Sequence, residues 1–208
     1  MNQRIIPLLI KARKFLAKNG LEEVKWEKLS QEGISLKEMA RHFNTPEDLV
    51  TTILQHEREA FENIFKEYNF TKYNAIDVLL LVSKEINENL FYINPSITKD
   101  LSNLFPNIYI KHTKERETFV KEKIQHNINN GINQGIYKQE LDPNSTPNTV
   151  WSEILKLYDT ESLSGDGFSF TSIIEKLLNT YIKYVANEDG LNFYRNRKQL
   201  YGVLGFGL

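Results

Sequence analysis

The chain has 208 residues, with 26 lysines and arginines against 27 aspartates and glutamates, a formal net charge of −1. This length is sufficient for one or two domains with a hydrophobic core. Because the sequence contains no cysteine, disulfides and thiolate metal sites are excluded. No apolar run is long enough for a membrane span, and the apolar stretch near Met1 is too short for a secretory signal, so we expect a cytoplasmic protein without membrane contact.

Charge is unevenly distributed. Residues 1–43 contain nine lysines and arginines against five acidic residues, a local charge of about +4, and the remainder therefore carries about −5. A basic end on a mildly acidic chain favours contact with a polyanion at that end. An imbalance of this size is also a common fluctuation, so charge alone does not decide the partner.

The first two predicted helices are short. Apolar residues recur at helical spacing over 5–16, and Asn19-Gly20 predicts the helix end. Residues 24–31 predict a second helix, in which the position of Trp26 favours a core role over a base-stacking surface.

Ser35 is the predicted N-cap of a third helix. Its predicted apolar stripe consists of Leu36, Met39, Ala40 and Phe43. Thr45 and Pro46 predict the cap and first residue of a fourth helix. Three short helices joined by tight turns are typical of a helix-turn-helix unit.

Only long helical patterns follow. The fourth helix extends to about Tyr68, and the later predicted helices cover 74–93, 96–105 (closed by Pro106), about 25 residues ending near Gly131 or Gly135, 150–157 and 170–185. Loops are predicted at 138–147 and 162–169. No strand alternation occurs, so the predicted fold class is all-α.

No catalytic or metal pattern is present. The four histidines, at positions 42, 56, 112 and 126, lack the i, i+3 or i, i+4 spacing of a metal site, and no phosphate-binding loop or nucleophile elbow occurs. We therefore expect a protein that is not an enzyme and needs no cofactor or metal.

The order of these parts carries a resemblance. The segments "FLAKNGLEEVKWEKLSQEGIS", "RHFNTPEDLV", "NINNGINQGIYKQELDP" and "YIKYVANEDGLNFYRN" resemble, in order and spacing, segments of the TetR family of bacterial transcriptional regulators. The resemblance covers nearly the whole chain. It implies a three-helix DNA-binding domain at 1–45 and a helical-bundle domain at 46–208 that binds an effector and dimerises.

The resemblance also implies a mechanism. A homodimer would place its two third helices in successive major grooves of a pseudo-palindromic operator in double-stranded DNA and repress transcription until a small-molecule effector binds. The alternative is a ligand-sensing or partner-binding helical dimer whose degenerate helix-turn-helix no longer reads DNA.

Three departures from the family pattern support that alternative. Between Leu29 and Gly33 the chain has one residue fewer than usual, so the second helix is shortened or the turn is altered, and Lys37 to Ala40 replace a Gly-Thr/Asn-Leu-Tyr stretch whose tyrosine contacts phosphate. Glu38 has the wrong charge for a phosphate, and Pro46 replaces a common lysine.

The candidate DNA-binding residues are basic or polar and lie in or beside the second and third helices. They are Lys25, Lys28, Ser35, Lys37, Arg41 and His42. Lys37 and Arg41 are four residues apart, hence on one helical face, where they suit a base edge and a phosphate. The competing interpretation is a solvated face on which Glu38 pairs with Arg41, and His42 is equally consistent with a structural role.

Aromatic residues are numerous in the second domain, and the resemblance implies that some of them line an effector pocket. The candidates are Phe61, Phe65, Tyr92, Phe105, Tyr109, Phe119 and Trp151. Any one of them is also consistent with ordinary core packing. A largely apolar effector with one or two polar handles would suit this composition.

Two late helices carry more apolar surface than one core stripe needs. These residues are Ile173, Ile174, Leu177, Leu178, Tyr181, Ile182 and Val185 in one helix and Trp151, Ile154, Leu155 and Tyr158 in the other. The excess predicts a four-helix interface between two copies of the chain.

Overall fold

The computed structural model describes residues 5–31, 33–89, 95–159 and 170–203. Within these ranges the secondary structure consists of α-helices, two 3-10 turns at Leu21–Glu23 and Phe70–Lys72, and one isolated bridge between Tyr137 and Ala186. The ten helices are α1 Ile6–Asn19, α2 Trp26–Gln31, α3 Leu36–His42, α4 Pro46–Glu67, α5 Ala75–Asn89, α6 Pro95–Leu104, α7 Pro106–Asn133, α8 Thr146–Asp159, α9 Phe170–Val185 and α10 Glu188–Val203. The predicted all-α class is confirmed.

Contacts divide the chain into two compact units. The head unit comprises residues 1–62 and 92–115, and the body unit comprises 63–91 and 116–208. Helices α4 and α7 therefore contribute residues to both units. The boundary at residue 46 predicted from sequence separates a DNA-binding part from an effector-binding and dimerising part. This assignment of roles stays a prediction.

The head unit has its own hydrophobic core. The apolar faces of α1, α2 and α3 bury Leu9, Ala12, Leu29 and Met39 almost completely, and α4 adds Leu49. Leu101, from α6, belongs to the same core, although it is far away in sequence. A hydrogen bond from the Leu21 backbone N–H to Asp100 Oδ2, 3.1 Å long, also joins α6 to the N-terminal helices.

The body unit packs α5, the C-terminal half of α7, α9 and α10 around a second core. Ile76, Leu80, Ile128 and Ile182 are almost fully buried there. Asn127 is buried among them, and its side chain bonds to three groups: its Nδ2 donates to Ala75 O (2.8 Å), and its Oδ1 accepts from the hydroxyls of Tyr137 (2.9 Å) and Tyr181 (3.2 Å).

Several predicted boundaries are confirmed, but α8 begins at Thr146, inside the predicted loop 138–147 and before the predicted start at Val150. The predicted loop 162–169 lies outside the described residues. Gly20 ends α1 with a φ of 87°, a conformation that favours glycine. Pro106 begins the 28-residue helix α7, since a proline at the first helical position needs no hydrogen-bond partner. Helix α10 was not predicted, and Ala40 is exposed rather than part of the apolar stripe of α3.

Candidate functional site

Helix α3 is held by caps at both ends. Ser35 is the N-cap, as predicted, because its Oγ accepts a hydrogen bond from the Glu38 backbone N–H at 3.3 Å. At the other end the Phe43 N–H donates to Met39 O at 2.9 Å. Met39 and Phe43 are buried, so the helix presents its opposite face outward.

The six predicted DNA-binding residues all lie on the surface of the head unit. Lys25 and Lys28 are exposed at α2, and Lys37, Arg41 and His42 are exposed on α3, where Ser35 is the cap. Within the part of the chain that the structure describes, neither Lys37 nor Arg41 forms an ion pair. The Arg41–Glu38 pair is therefore not formed, but both cations face solvent, which agrees equally with a DNA-binding face and with a solvated face.

Two acidic groups lie near these cations in sequence. Glu38 is exposed in the first turn of α3. At the start of α4, Asp48 Oδ2 accepts hydrogen bonds from the N–H groups of Asn44 (3.0 Å) and Thr45 (3.2 Å), while Thr45 Oγ1 accepts from the Asp48 N–H at 3.2 Å. This reciprocal cap resembles a capping box, so the protein's own carboxylate occupies donors near the start of α4.

The predicted effector-binding residues are divided between the head unit and the body unit. Phe105 and Tyr109 pack against the head-unit core, and Phe61 lies half-buried in the same unit. Trp151 is buried in α8, in the body unit. Tyr92 lies outside the described residues.

Phe65 and Phe119 do come together. Their ring centroids are 5.5 Å apart in an edge-to-face arrangement, and Phe70 packs against Phe65 at 5.6 Å and stacks on Tyr68 at 5.4 Å. Lys123 Nζ lies 4.8 Å from the centroid of Phe119. We call Phe65, Tyr68, Phe70, Phe119 and Lys123 the aromatic cluster.

The aromatic cluster also has an acidic edge. The Tyr68 hydroxyl donates a hydrogen bond to Glu85, and this bond, followed by burial, raises the pKa of Tyr68 to about 12. Sequence reasoning did not assign Phe70, Lys123 or Glu85 to a site. The aromatic-rich turn "EYNFTKY" was the available signal.

No protein-family model matches the sequence, and no curated protein matches it. Solved structures do match over most of the chain. CprB from S. coelicolor A3(2), a TetR family protein, is 13% identical, with 95% of this chain and 98% of that chain covered at a TM-score of 0.64. PfmR from Thermus thermophilus, a TetR family transcriptional regulator, is 16% identical, with 82% and 94% covered at a TM-score of 0.59. The chain has the fold of the TetR family.

A third matching structure contains a ligand. It is a transcriptional regulator from Saccharomonospora viridis in complex with choline, 18% identical, with 86% of this chain and 96% of that chain covered at a TM-score of 0.64. These neighbours are transcriptional regulators rather than enzymes. At such low identities the similarity establishes the TetR fold and leaves the function to be argued from the site.

Metal-binding clusters and membrane-spanning helices are absent from the described residues. Among them, no group of three or more histidine or acidic side chains is placed to hold a metal ion. None of the described helices is both long and apolar enough to cross a membrane.

Proposed function

We propose that the chain is a TetR-like transcriptional regulator, a cytoplasmic repressor that binds double-stranded DNA and is controlled by a small, largely apolar effector. The observation that carries the proposal is the exposed face of α3, on which Lys37 and Arg41 lie four residues apart on a capped helix of a helix-turn-helix unit. On this geometry one side chain can reach a base edge and the other a phosphate. Lys25 and Lys28, at α2, are suited to phosphates by position.

The operator would be pseudo-palindromic, because a two-fold dimer presents two copies of α3 to successive major grooves. A homodimer is supported by apolar side chains that stay exposed in the body unit of the single chain, namely Leu155 on α8, Tyr184 on α9 and Leu200 on α10. Most of the apolar residues predicted for the interface in α9 are instead buried within the chain itself. Sedimentation should give a species of twice 24.3 kDa, and a monomer at micromolar concentration would contradict the dimer.

The aromatic cluster is the best-supported effector site. Aromatic faces attract cations, which would suit a ligand like the choline bound by the S. viridis regulator, but Lys123 already places its ammonium over Phe119. A cationic effector would have to displace that ammonium. We therefore favour a largely apolar effector whose polar handle binds Lys123 or Glu85.

The alternative function is a ligand-sensing or partner-binding dimer that does not read DNA. It is favoured by the exposed carboxylate of Glu38, by the Asp48 carboxylate at the start of α4, and by the alanine at position 40 in place of a phosphate-binding tyrosine. These features predict weaker DNA binding, and only a measurement distinguishes weak binding from none.

The test is selection of bound sequences from a random pool of duplex DNA. The parent chain should select a two-fold symmetric sequence, and the double variant Lys37→Ala/Arg41→Ala should lose that selection. Lys72→Ala/Arg195→Ala is the matched control, since it removes one exposed lysine and one exposed arginine from the body unit. If the parent selects nothing, or the α3 variant selects the same sequence, DNA reading through α3 is excluded.

A further inference from the structure

The head unit contains a groove that the proposed function does not use. It has a volume of about 280 Å³ and lies between the first half of α4 and the first half of α7. Its walls are regular helix faces, because the contributing residues on α4 span positions 51 to 58 and those on α7 span 107 to 115 at helical spacing. None of the residues predicted to bind an effector lines it.

The floor of the groove is apolar. Leu54, from α4, is buried in the head-unit core, and Ile108, from α7, packs against the same core. A ligand in the groove would therefore rest on a surface that is already fixed by packing, so its binding would cost little reorganisation.

One cation on the groove walls has no ion-pair partner among the described residues. Arg58 is held in place by ion pairs with Glu115 and with Glu62, the latter at 3.8 Å. Lys111, also on the wall, is exposed and forms no ion pair with any residue that the structure describes. The charge of Arg58 is therefore balanced by two glutamates, and Lys111 is the wall cation that remains to pair with a ligand.

The volume limits the size of an occupant. A water-sized group takes about 30 Å³ of liquid volume, so the groove holds on the order of ten non-hydrogen atoms. This is at the small end of ligand pockets, which start at about 300 Å³. An occupant with one negative charge and an apolar body of this size would match both the walls and the floor.

We propose that this groove is a binding site for a small monocarboxylate. The carboxylate is bound by Lys111, and the apolar body lies on Leu54 and Ile108. Such a ligand contacts α4 and α7 together and stabilises the head unit by mass action. The proposal does not depend on DNA reading and would hold equally for a chain that binds no DNA.

Three probes of nearly equal size test the charge requirement. Benzoate, benzamide and benzylamine present the same ring with a negative, neutral and positive group. Calorimetric titration of the full chain should detect benzoate binding, with benzamide and benzylamine at least about tenfold weaker, since a hydrogen bond to a charged group contributes about 1.5–3 kcal/mol. Equal affinity for benzamide, preference for benzylamine or no benzoate binding at millimolar concentration would overturn the proposal.

Variants at position 111 test the location. Lys111→Gln should weaken benzoate binding about tenfold, and Lys111→Arg should retain it, because the charge is kept. Lys11→Gln is the matched control, at an exposed position within α1 that does not line the groove. Both positions are on the surface, so folding should be unaffected in all three variants. If Lys111→Gln binds benzoate as the parent does, the carboxylate site lies elsewhere and the assignment is wrong.

Discussion

The ring of Tyr137 lies directly against the backbone of Gly131, so closely that a β-carbon on residue 131 would be 2.1 Å from Tyr137 Cδ2. Because residue 131 has no side chain, the ring of Tyr137 can cross α7. Its hydroxyl then donates a 2.9 Å hydrogen bond to Oδ1 of Asn127, one turn earlier in the helix. Position 131 must therefore be glycine for Tyr137 to pack against α7 and bond to the buried Asn127.

Substitution of Gly131 should be costly. Gly131→Ala gains about 1 kcal/mol of helix propensity but forces Tyr137 out of its position, so we expect a net loss of about 2 kcal/mol or more in the free energy of unfolding. Denaturant unfolding measures this. The double variant Gly131→Ala/Tyr137→Ala should cost less than the sum of the two single variants, because the clash is removed with the ring. Additive losses would show that the contact is not the cause.

Asn127 should be among the most sensitive polar positions in the body unit. Asn127→Ala removes the acceptor of two buried hydroxyls and the donor to Ala75 O. Leaving buried polar groups unsatisfied costs about 1–3 kcal/mol each, so the expected loss of stability is about 3 kcal/mol. Asn130→Ala, at an exposed position on the same helix, is the control and should change little. Similar effects of the two substitutions would contradict the importance of the buried network.

The sequence predicted features that are local. Ser35 and Gly20 were assigned correctly as helix boundaries because caps depend on residues a few positions away. The contacts of Asn127 were not predictable, since hydrophobic periodicity does not identify which polar residue on a helix is buried. Helix α10 was missed because its charged and polar residues dilute the apolar spacing of Leu191 and Tyr194.

The candidate effector-binding residues also show that the sequence does not predict contacts between distant residues. Phe105 and Tyr109 were placed in the body by their position in the chain, but α6 and the start of α7 pack against α1 to α4 in the head unit. That arrangement depends on contacts between residues that are distant in sequence, which spacing does not reveal. The groove beside Lys111 was missed for the same reason, because its two walls are separate in sequence.

Leu101 should stabilise the head unit although it lies outside residues 1–45. Its side chain is 3% exposed, whereas Leu104, on the same helix, is 40% exposed. Leu101→Ala should cost about 2–5 kcal/mol of stability and Leu104→Ala less than about 1 kcal/mol. Thermal unfolding of both variants tests this, and equal effects would show that α6 is not part of the head-unit core.

His56, on α4, should make stability depend on pH. Burial, followed by the charge of Arg13, lowers the pKa of His56 below its ordinary value of 6.5, while Glu59 opposes the shift. The unfolded chain therefore binds a proton at pH values where the folded chain does not. The contribution of His56 to the free energy of unfolding is full above pH 6.5 and falls as the pH drops through the lowered pKa. His56→Gln should reduce this loss, measured by unfolding at about pH 5 to 8. His126→Gln, at an exposed position, is the control, and an unchanged pH profile in His56→Gln would refute the assignment.

Glu38 should weaken DNA binding through its charge. Its carboxylate is exposed on α3, between Lys37 and Arg41, and would approach phosphates when α3 enters the major groove. Because interactions between exposed charges amount to about 0.2–1 kcal/mol, Glu38→Gln should raise the affinity for duplex DNA by up to about fivefold at low salt, and by less as salt screens the repulsion. Glu140→Gln changes the net charge equally from an exposed position in the body unit and should have a smaller effect. Fluorescence anisotropy with labelled duplexes at several salt concentrations measures both variants.

Equal gains from the two substitutions would assign the effect to net charge. A loss of affinity in Glu38→Gln would indicate that the carboxylate accepts a hydrogen bond from a cytosine amine, so that Glu38 reads a base instead of repelling the backbone.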